Sequence, residues 1–217
     1  LPASTSAVTQ QISRDHSIRV AEPHQDLAFP IYSLVGGKWT TFRAFAEQTA
    51  DKALAFLGKP REVSTRAMAF GGGIDFPKDE QARESWLNGL QSQTGLPLAR
   101  LETLFGRYGT RAETIANFLV SGPDEPLRSH PGYSVRELQY ITQFEKVEHV
   151  DDILLRRSLI AWVGEVNGAV LEEIARVVGG VLGWDQARIH AEVERASDIL
   201  QRKHGVKAEV LAAQVLS

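Results

Sequence analysis

Residues Ile31–Arg43 read IYSLVGGKWTTFR, and the fold of the chain turns on how this stretch is understood. Ile31, Tyr32, Leu34 and Val35 make an apolar run short enough for a buried strand. Gly36 and Gly37 follow, where the backbone takes positive φ or lets another group approach closely. Lys38 and Trp39 come next, then Thr40 and Thr41, either of which suits a helix cap, and from Phe42 the apolar period becomes helical. A strand, two glycines, a lysine and a helix start form a place to hold an anion or the polar edge of a cofactor, because unpaired N–H groups and the positive helix end point there. The stretch is not the phosphate loop of nucleotide-binding proteins. That loop requires Gly, four residues, then Gly-Lys-Ser/Thr; here the first glycine position falls on Tyr32, and Trp39 follows the lysine. On spacing alone, a plain strand-to-helix turn with a solvated Lys38 is the simpler reading.

On the N-terminal side, Ile12, Ile18 and Val20 share one parity while Ser17 and Arg19 take the other, the pattern of a half-buried strand. Pro23 and Pro30 bracket a loop, so this strand is expected to pair with the one at Ile31 as a hairpin. A hairpin alone is marginal in water, and its outer edges are expected to belong to a larger sheet.

On the C-terminal side the sequence is helical. Phe42, Phe45, Ala46, Thr49, Ala53 and Leu57 recur at helical spacing, Arg43 and Glu47 suit an i,i+4 pair, and Gly58 with Pro60 stops the run. Lys59 to Phe76 reads as a linker centred on Gly71-Gly72-Gly73; no basic or strand-like neighbour frames those glycines in the sequence, so a flexible connector is expected. Pro77 is expected to open the next helix, which Gly95 ends. Leu98 to Phe105 marks a short helix closing at Arg107-Tyr108-Gly109, and Thr110 is expected to cap another. After a loop with Pro123, Pro126 and Pro131, Ser134 and Glu137 have the spacing of a capping box. Asp151 or Asp152 is expected to cap a helix over Ile153–Val163, with Asp152 and Arg156 as an i,i+4 pair. Asn167-Gly168 breaks this run, Val170 to Val178 forms a further apolar stripe, and Asp185 and Gly205 bound the last long helix. The fold class that follows is mainly α: an all-helical C-terminal domain preceded by a short β segment of one or two strands.

Composition narrows the function classes. Of 217 residues, 43% are hydrophobic and 24% charged, ordinary values for a soluble globular protein. The net charge of −3 argues against a general nucleic-acid binder. Without cysteine there is no disulfide framework, thiolate nucleophile or Cys-based zinc site, which fits a cytoplasmic protein. No apolar run reaches the length of a membrane span, and no signal peptide is visible. The first residue is Leu1 and the sole methionine is Met68, so the chain is expected to be part of something longer or a processed product.

Little chemistry stands out elsewhere. The six histidines have no metal-ligand spacing, so no metal site is expected. There is no Gly-x-Ser-x-Gly elbow. Asp151-Asp152 and Glu172-Glu173 suit helix starts or solvated faces. Arg156-Arg157 would hold an anion only by converging, and neighbours on an α-helix point about 100° apart. Arg14 and Lys38 are left as the basic residues with an informative setting.

Four stretches in order, Ser13-Arg14-Asp15-His16, Gly36-Gly37-Lys38-Trp39-Thr40-Thr41-Phe42-Arg43, Arg107-Tyr108-Gly109 and Asp151-Asp152-Ile153-Leu154-Leu155-Arg156-Arg157, resemble the C-terminal part of the FAD-dependent glycerol-3-phosphate dehydrogenases. The resemblance covers most of the chain, and its specific parts are the Gly-Gly-Lys and Leu-Leu-Arg-Arg stretches. It implies that residues 1–43 are the end of an FAD- and substrate-binding region, 44–76 a helix and linker, and 77–217 a helical C-terminal domain. It implies that Arg14 helps bind the substrate phosphate, where a guanidinium offers a planar fork. Lys38 would lie beside the flavin and the reacting end of the substrate, stabilising charge as hydride passes to the flavin. Gly36, Gly37, Trp39 and Thr40 would present backbone donors to the flavin edge. The parent enzyme would oxidise glycerol 3-phosphate and pass electrons to a quinone. Peripheral contact with the cytoplasmic face of a membrane and homo-oligomer formation stay open, as does an oxidase using oxygen. The Gly-x-Gly-x-x-Gly fingerprint is absent, so this chain alone is expected neither to retain FAD nor to turn over substrate. A different reading also remains: the helical domain is an autonomous interaction or oligomerisation module with no catalytic role.

Overall fold

A computed structural model describes residues 16–36 and 38–212 and divides the chain into two compact units between Phe70 and Gly71. In the first unit, β1 (His16–Ala21) and β2 (Ile31–Gly36) pair antiparallel, with His16 opposite Gly36 and Ala21 opposite Ile31. Helix α1 (Phe42–Phe56) packs on this hairpin. The His16 ring lies 4.4 Å from that of Phe45, and the Tyr32 hydroxyl donates to the Lys52 carbonyl at 3.2 Å. The hairpin expected from parity is present, but β2 is not a buried strand: Ile31 and Leu34 are about half exposed, and Tyr32 and Val35 are the partly covered residues. A two-stranded sheet with one helix has too few neighbours to cover both faces. Arg43 and Arg61 both pair with Glu47, which fastens the chain after α1 back onto that helix.

The second unit is helical throughout. Its elements are α2 (Glu80–Thr94), α3 (Leu98–Tyr108), α4 (Ala112–Val120), α5 (Val135–Phe144), a short α6 (Val150–Asp152), α7 (Gly168–Leu182), α8 (Gln186–His204) and a short α9 (Ala208–Ala212). Two apolar clusters hold them together. One gathers Leu87, Leu90, Leu101, Leu104, Ile115 and Leu119 from α2–α4; the other gathers Leu138, Ile141, Ile153, Leu171, Ile174 and Leu200 from later elements. Helix α5 serves both, giving Tyr140 to the first and Leu138 and Ile141 to the second, and Tyr108 packs against each.

Several helix boundaries differ from the sequence expectation, each for a visible reason. Helix α2 begins at Glu80 rather than Pro77, because the Asp79 carboxylate accepts the Ala82 N–H at 2.8 Å and so satisfies a first-turn donor. Thr110 does not cap α4; its hydroxyl lies 3.0 Å from the Gly72 carbonyl and 2.6 Å from that of Ile74. Asn167 is more than a break, since its side chain accepts the Val170 N–H at 3.0 Å and caps α7. Asp185 caps α8 as the sequence indicates.

The largest difference is at Ile153–Val163. No continuous α-helix forms there: α6 runs into a π-helical turn, Ile153–Arg157, and the chain then leaves in an extended conformation at Ser158. Side chains and backbone downstream take the carbonyls of this turn. The Ser158 hydroxyl donates to Ile153 at 2.8 Å, the Ala161 N–H to Leu154 at 3.4 Å, and the Trp162 indole to Leu155 at 3.0 Å. Asp152 still pairs with Arg156 at 2.6 Å, and its other oxygen accepts the Glu148 and His149 N–H groups, each at 3.0 Å.

Candidate functional site

The Gly-Gly-Lys stretch forms the junction between β2 and α1. Strand β2 ends at Gly36 with φ +79°, a left-handed conformation that strains any residue bearing a Cβ. Lys38 is extended and leads into a 3-10 turn, Trp39–Thr41, which continues as α1. Thr41 ties this turn together instead of capping α1. Its hydroxyl accepts the Lys38 N–H at 3.1 Å and donates to the Lys38 carbonyl at 3.0 Å. The N–H groups of Trp39 and Thr40 fall in the first turn, where no intrahelical acceptor exists.

Lys38 and Phe42 are exposed beside this junction, and Trp39 is 90% exposed. Gly36, Lys38, Trp39, Phe42 and Phe45 line an open cleft of about 280 Å³. Pockets that enclose a whole organic ligand run from about 300 to 1,000 Å³. The cleft therefore fits one edge of a planar polar group, offering a cation and an apolar floor beside the first turn. Gly36, Lys38, Trp39 and Thr40 are brought to this one turn. Arg14 and Gly37 lie outside the described residues.

The helical unit contains a second constellation that sequence reasoning passed over. Glu137 is fully buried, and its carboxylate accepts from Arg100 at 2.6 Å, Arg107 at 2.9 Å and the Tyr108 hydroxyl at 2.6 Å. Ser134 caps α5 by accepting the Glu137 N–H at 3.3 Å, so half of the expected capping box is present; the Glu137 side chain turns inward instead of back to Ser134. Burial, with Glu137 beside it, pushes the Tyr108 hydroxyl well above its ordinary pKa and keeps it a neutral donor. The Arg107 guanidinium stacks 3.6 Å over the Tyr133 ring.

Arg107 also faces a cavity of about 520 Å³, together with Arg111, Arg156, Arg157 and the Gly71–Gly73 turn. The glycine run is thus not an unframed connector. A Cβ on Gly72 would lie 1.8 Å from the Tyr108 carbonyl oxygen, so only glycine permits this crossing. Arg156 and Arg157 do line a common space, at the end of the π turn where the chain leaves in an extended conformation. The signal for this site in the sequence is the Leu-Leu-Arg-Arg stretch, which an α-helical spacing does not bring together.

Residues 63–189 match the family described as the C-terminal domain of alpha-glycerophosphate oxidase. The chain is 31% identical, over 98% of its length, to a protein named glycerol-3-phosphate dehydrogenase 2 from Mycobacterium bovis, of which it covers 34%. It is 29% identical over 89% of its length to a glycerol-3-phosphate dehydrogenase from Mycobacterium leprae, covering 32% of that protein. It is 30% identical over 94% of its length to a mitochondrial glycerol-3-phosphate dehydrogenase from Mesocricetus auratus, covering 27% of it. The chain thus spans about a third or less of the length of the relatives it matches.

Proposed function

We propose, on the premise that this chain belongs to the family of the C-terminal domain of alpha-glycerophosphate oxidase, that it supplies the C-terminal part of a flavoenzyme oxidising sn-glycerol 3-phosphate to dihydroxyacetone phosphate. The observation that carries this reading is the β2–α1 junction, which sets Lys38 and the first-turn N–H groups beside an open cleft in a chain whose similarity to glycerol-3-phosphate dehydrogenases spans both units. Gly36, Gly37, Lys38, Trp39 and Thr40 would hold one edge of FAD. When bound, the flavin supplies the two-electron acceptor for the hydride leaving substrate C2. Lys38 acts as a fixed cation that stabilises negative charge developing beside it, and Arg14 binds the substrate phosphate. Electrons pass onward to a quinone.

The exposed apolar side chains of the first unit, Ile31, Leu34, Trp39, Phe42 and Phe70 among them, support its packing against the rest of a catalytic region. No helix among the described residues is long and apolar enough to cross a membrane; the site of action we propose is cytoplasmic, with peripheral membrane contact. The reading is tested on the intact polypeptide by its visible flavin spectrum before and after anaerobic sn-glycerol 3-phosphate. Bleaching supports the reading, with loss of bleaching rate in Lys38→Ala and weaker substrate saturation in Arg14→Ala. An intact protein that holds flavin without bleaching would discard the substrate, and one without flavin would discard the enzyme. The chain alone should retain no stoichiometric FAD.

A further inference from the structure

We propose that the arginine-lined cavity of the helical unit is a binding site for a small organic phosphate monoester. The inference rests on no part of the reading above and uses no residue of the first unit.

The cavity concentrates charge against the trend of the chain. The protein carries a net charge of −3, yet Arg107, Arg111, Arg156 and Arg157 face one space whose wall contributes a single carboxylate, Glu145. Four guanidinium groups repel one another unless anions stand beside them, and among the described residues the fold supplies carboxylates to all but Arg157. Carboxylates hold three of the four in place. Glu137 fixes Arg107 at 2.9 Å, Glu145 fixes Arg111 at 3.0 Å, and Asp151 and Asp152 fix Arg156 at 3.1 and 2.6 Å. Asp151 is itself buried and also pairs with Arg195. Each guanidinium has five N–H donors. Arg107 and Arg156 use only their Nη1 groups in these pairs, which leaves donors over on a positioned, planar fork. Arg157 has no ion pair among the described residues.

The rest of the lining says what kind of anion fits. Phe76, Ile115 and Ile141 supply an apolar wall, and the Gly71–Gly73 turn brings backbone close where a side chain would fill the space. The volume, about 520 Å³, exceeds what inorganic phosphate occupies and falls in the range for organic ligands, about 300–1,000 Å³. A phosphate monoester carries a charge of about −1.5 to −2 at pH 7 and three acceptor oxygens, a match for several forks at once.

The test is titration of the full chain with phenyl phosphate and, separately, inorganic phosphate at constant ionic strength and pH 7.5, read by amide and arginine Nε NMR shifts. Phenyl phosphate should saturate one site, shift Gly71–Gly73 and Tyr108–Arg111, and bind at least about tenfold more tightly than inorganic phosphate, the extra coming from the apolar wall. Arg157→Gln, at an exposed position with no ion-pair partner among the described residues, should weaken binding about tenfold. Arg176→Gln, whose side chain pairs with Glu172 away from the cavity, should leave binding unchanged. No saturable binding, shifts confined elsewhere, equal affinity for the two probes, or an Arg157→Gln variant that binds as well as the parent would each overturn the proposal.

Discussion

In the hairpin and its helix, Phe45 is the one hydrophobic residue buried among the described residues, whereas in the helical unit Leu101, Leu104, Leu138, Ile153 and Ile174 have no exposure at all. The hairpin unit instead presents Trp39, Phe42, Leu57, Val63 and Phe70 to solvent. Apolar burial contributes roughly 25 cal/mol per Å² removed from water, so the two units differ in what they can stabilise by themselves. The helical unit has its own core. The hairpin unit has a local network of hydrogen bonds and ion pairs around one buried ring. A surface that presents a lysine at a strand-to-helix junction gains from being open, and a partner that covers it also covers the apolar side chains beside it.

The strongest way to break this comparison lies inside the helical unit. Replacing Glu137 with Ala removes the buried carboxylate that Arg100, Arg107 and the Tyr108 hydroxyl share and should cost about 3–5 kcal/mol. Urea denaturation followed by tryptophan fluorescence measures it; a cost near zero would show that the network is incidental. In the hairpin unit, Phe45→Ala should abolish hydrogen-exchange protection in β1, β2 and α1 while leaving the urea midpoint of the helical unit unchanged. A lowered midpoint would mean that the two units unfold together.

Smaller effects sharpen the same contrast. Gly72→Ala drives a methyl group into the Tyr108 carbonyl and should cost about 1–3 kcal/mol, with amide shifts at Tyr108–Arg111. Asp151 supplies a pH dependence. Burial acts to raise its pKa, but hydrogen bonds from Arg195 and Arg156 outweigh that and hold it below the ordinary 3.8. A depressed carboxylate contributes stability that is complete above its unfolded value and is lost as pH falls through the folded one. Unfolding free energy of the parent should therefore drop below about pH 4, and the drop should be shallower in Asp151→Asn. At the lower end, Arg176→Ala removes an exposed i,i+4 pair with Glu172 and should change stability by no more than about 0.5 kcal/mol.

What the sequence discloses follows the distance over which each feature is decided. Ser134, Asp185 and the Asp152–Arg156 pair act within one helical turn, and their roles are legible from spacing. The parity of Ile18 likewise indicates a strand, and Gly36 ends its partner strand ahead of the turn that carries Lys38. Features decided by partners far along the chain are not legible in this way. Glu137 looks like the second half of a capping box because Arg100 and Arg107 are 37 and 30 residues away. Gly71–Gly73 looks unsupported because Thr110 and Tyr108 are brought to it only by the fold. The exposure of Ile31 and Leu34 is invisible to a pattern that reports periodicity and says nothing of what covers a face. Arg156 and Arg157 differ again: the spacing of an α-helix keeps such neighbours apart, but here the helix ends with them in a π turn and an extended exit.

That π turn makes the segment intolerant of a change in length. Wound as an α-helix, the same stretch would need about one residue fewer to make the turn. Deleting Leu155 would let the turn close as an α-helix from Val150 onward, with Arg156 and Arg157 set about 100° apart around its axis. Helical N–H groups would compete for the carbonyls that Ser158 and Ala161 now satisfy, the acceptor of the Trp162 indole would be gone, and the two arginines would no longer reach the same space. A conservative substitution in this turn changes one contact, whereas a one-residue deletion replaces the hydrogen bonds of the whole turn.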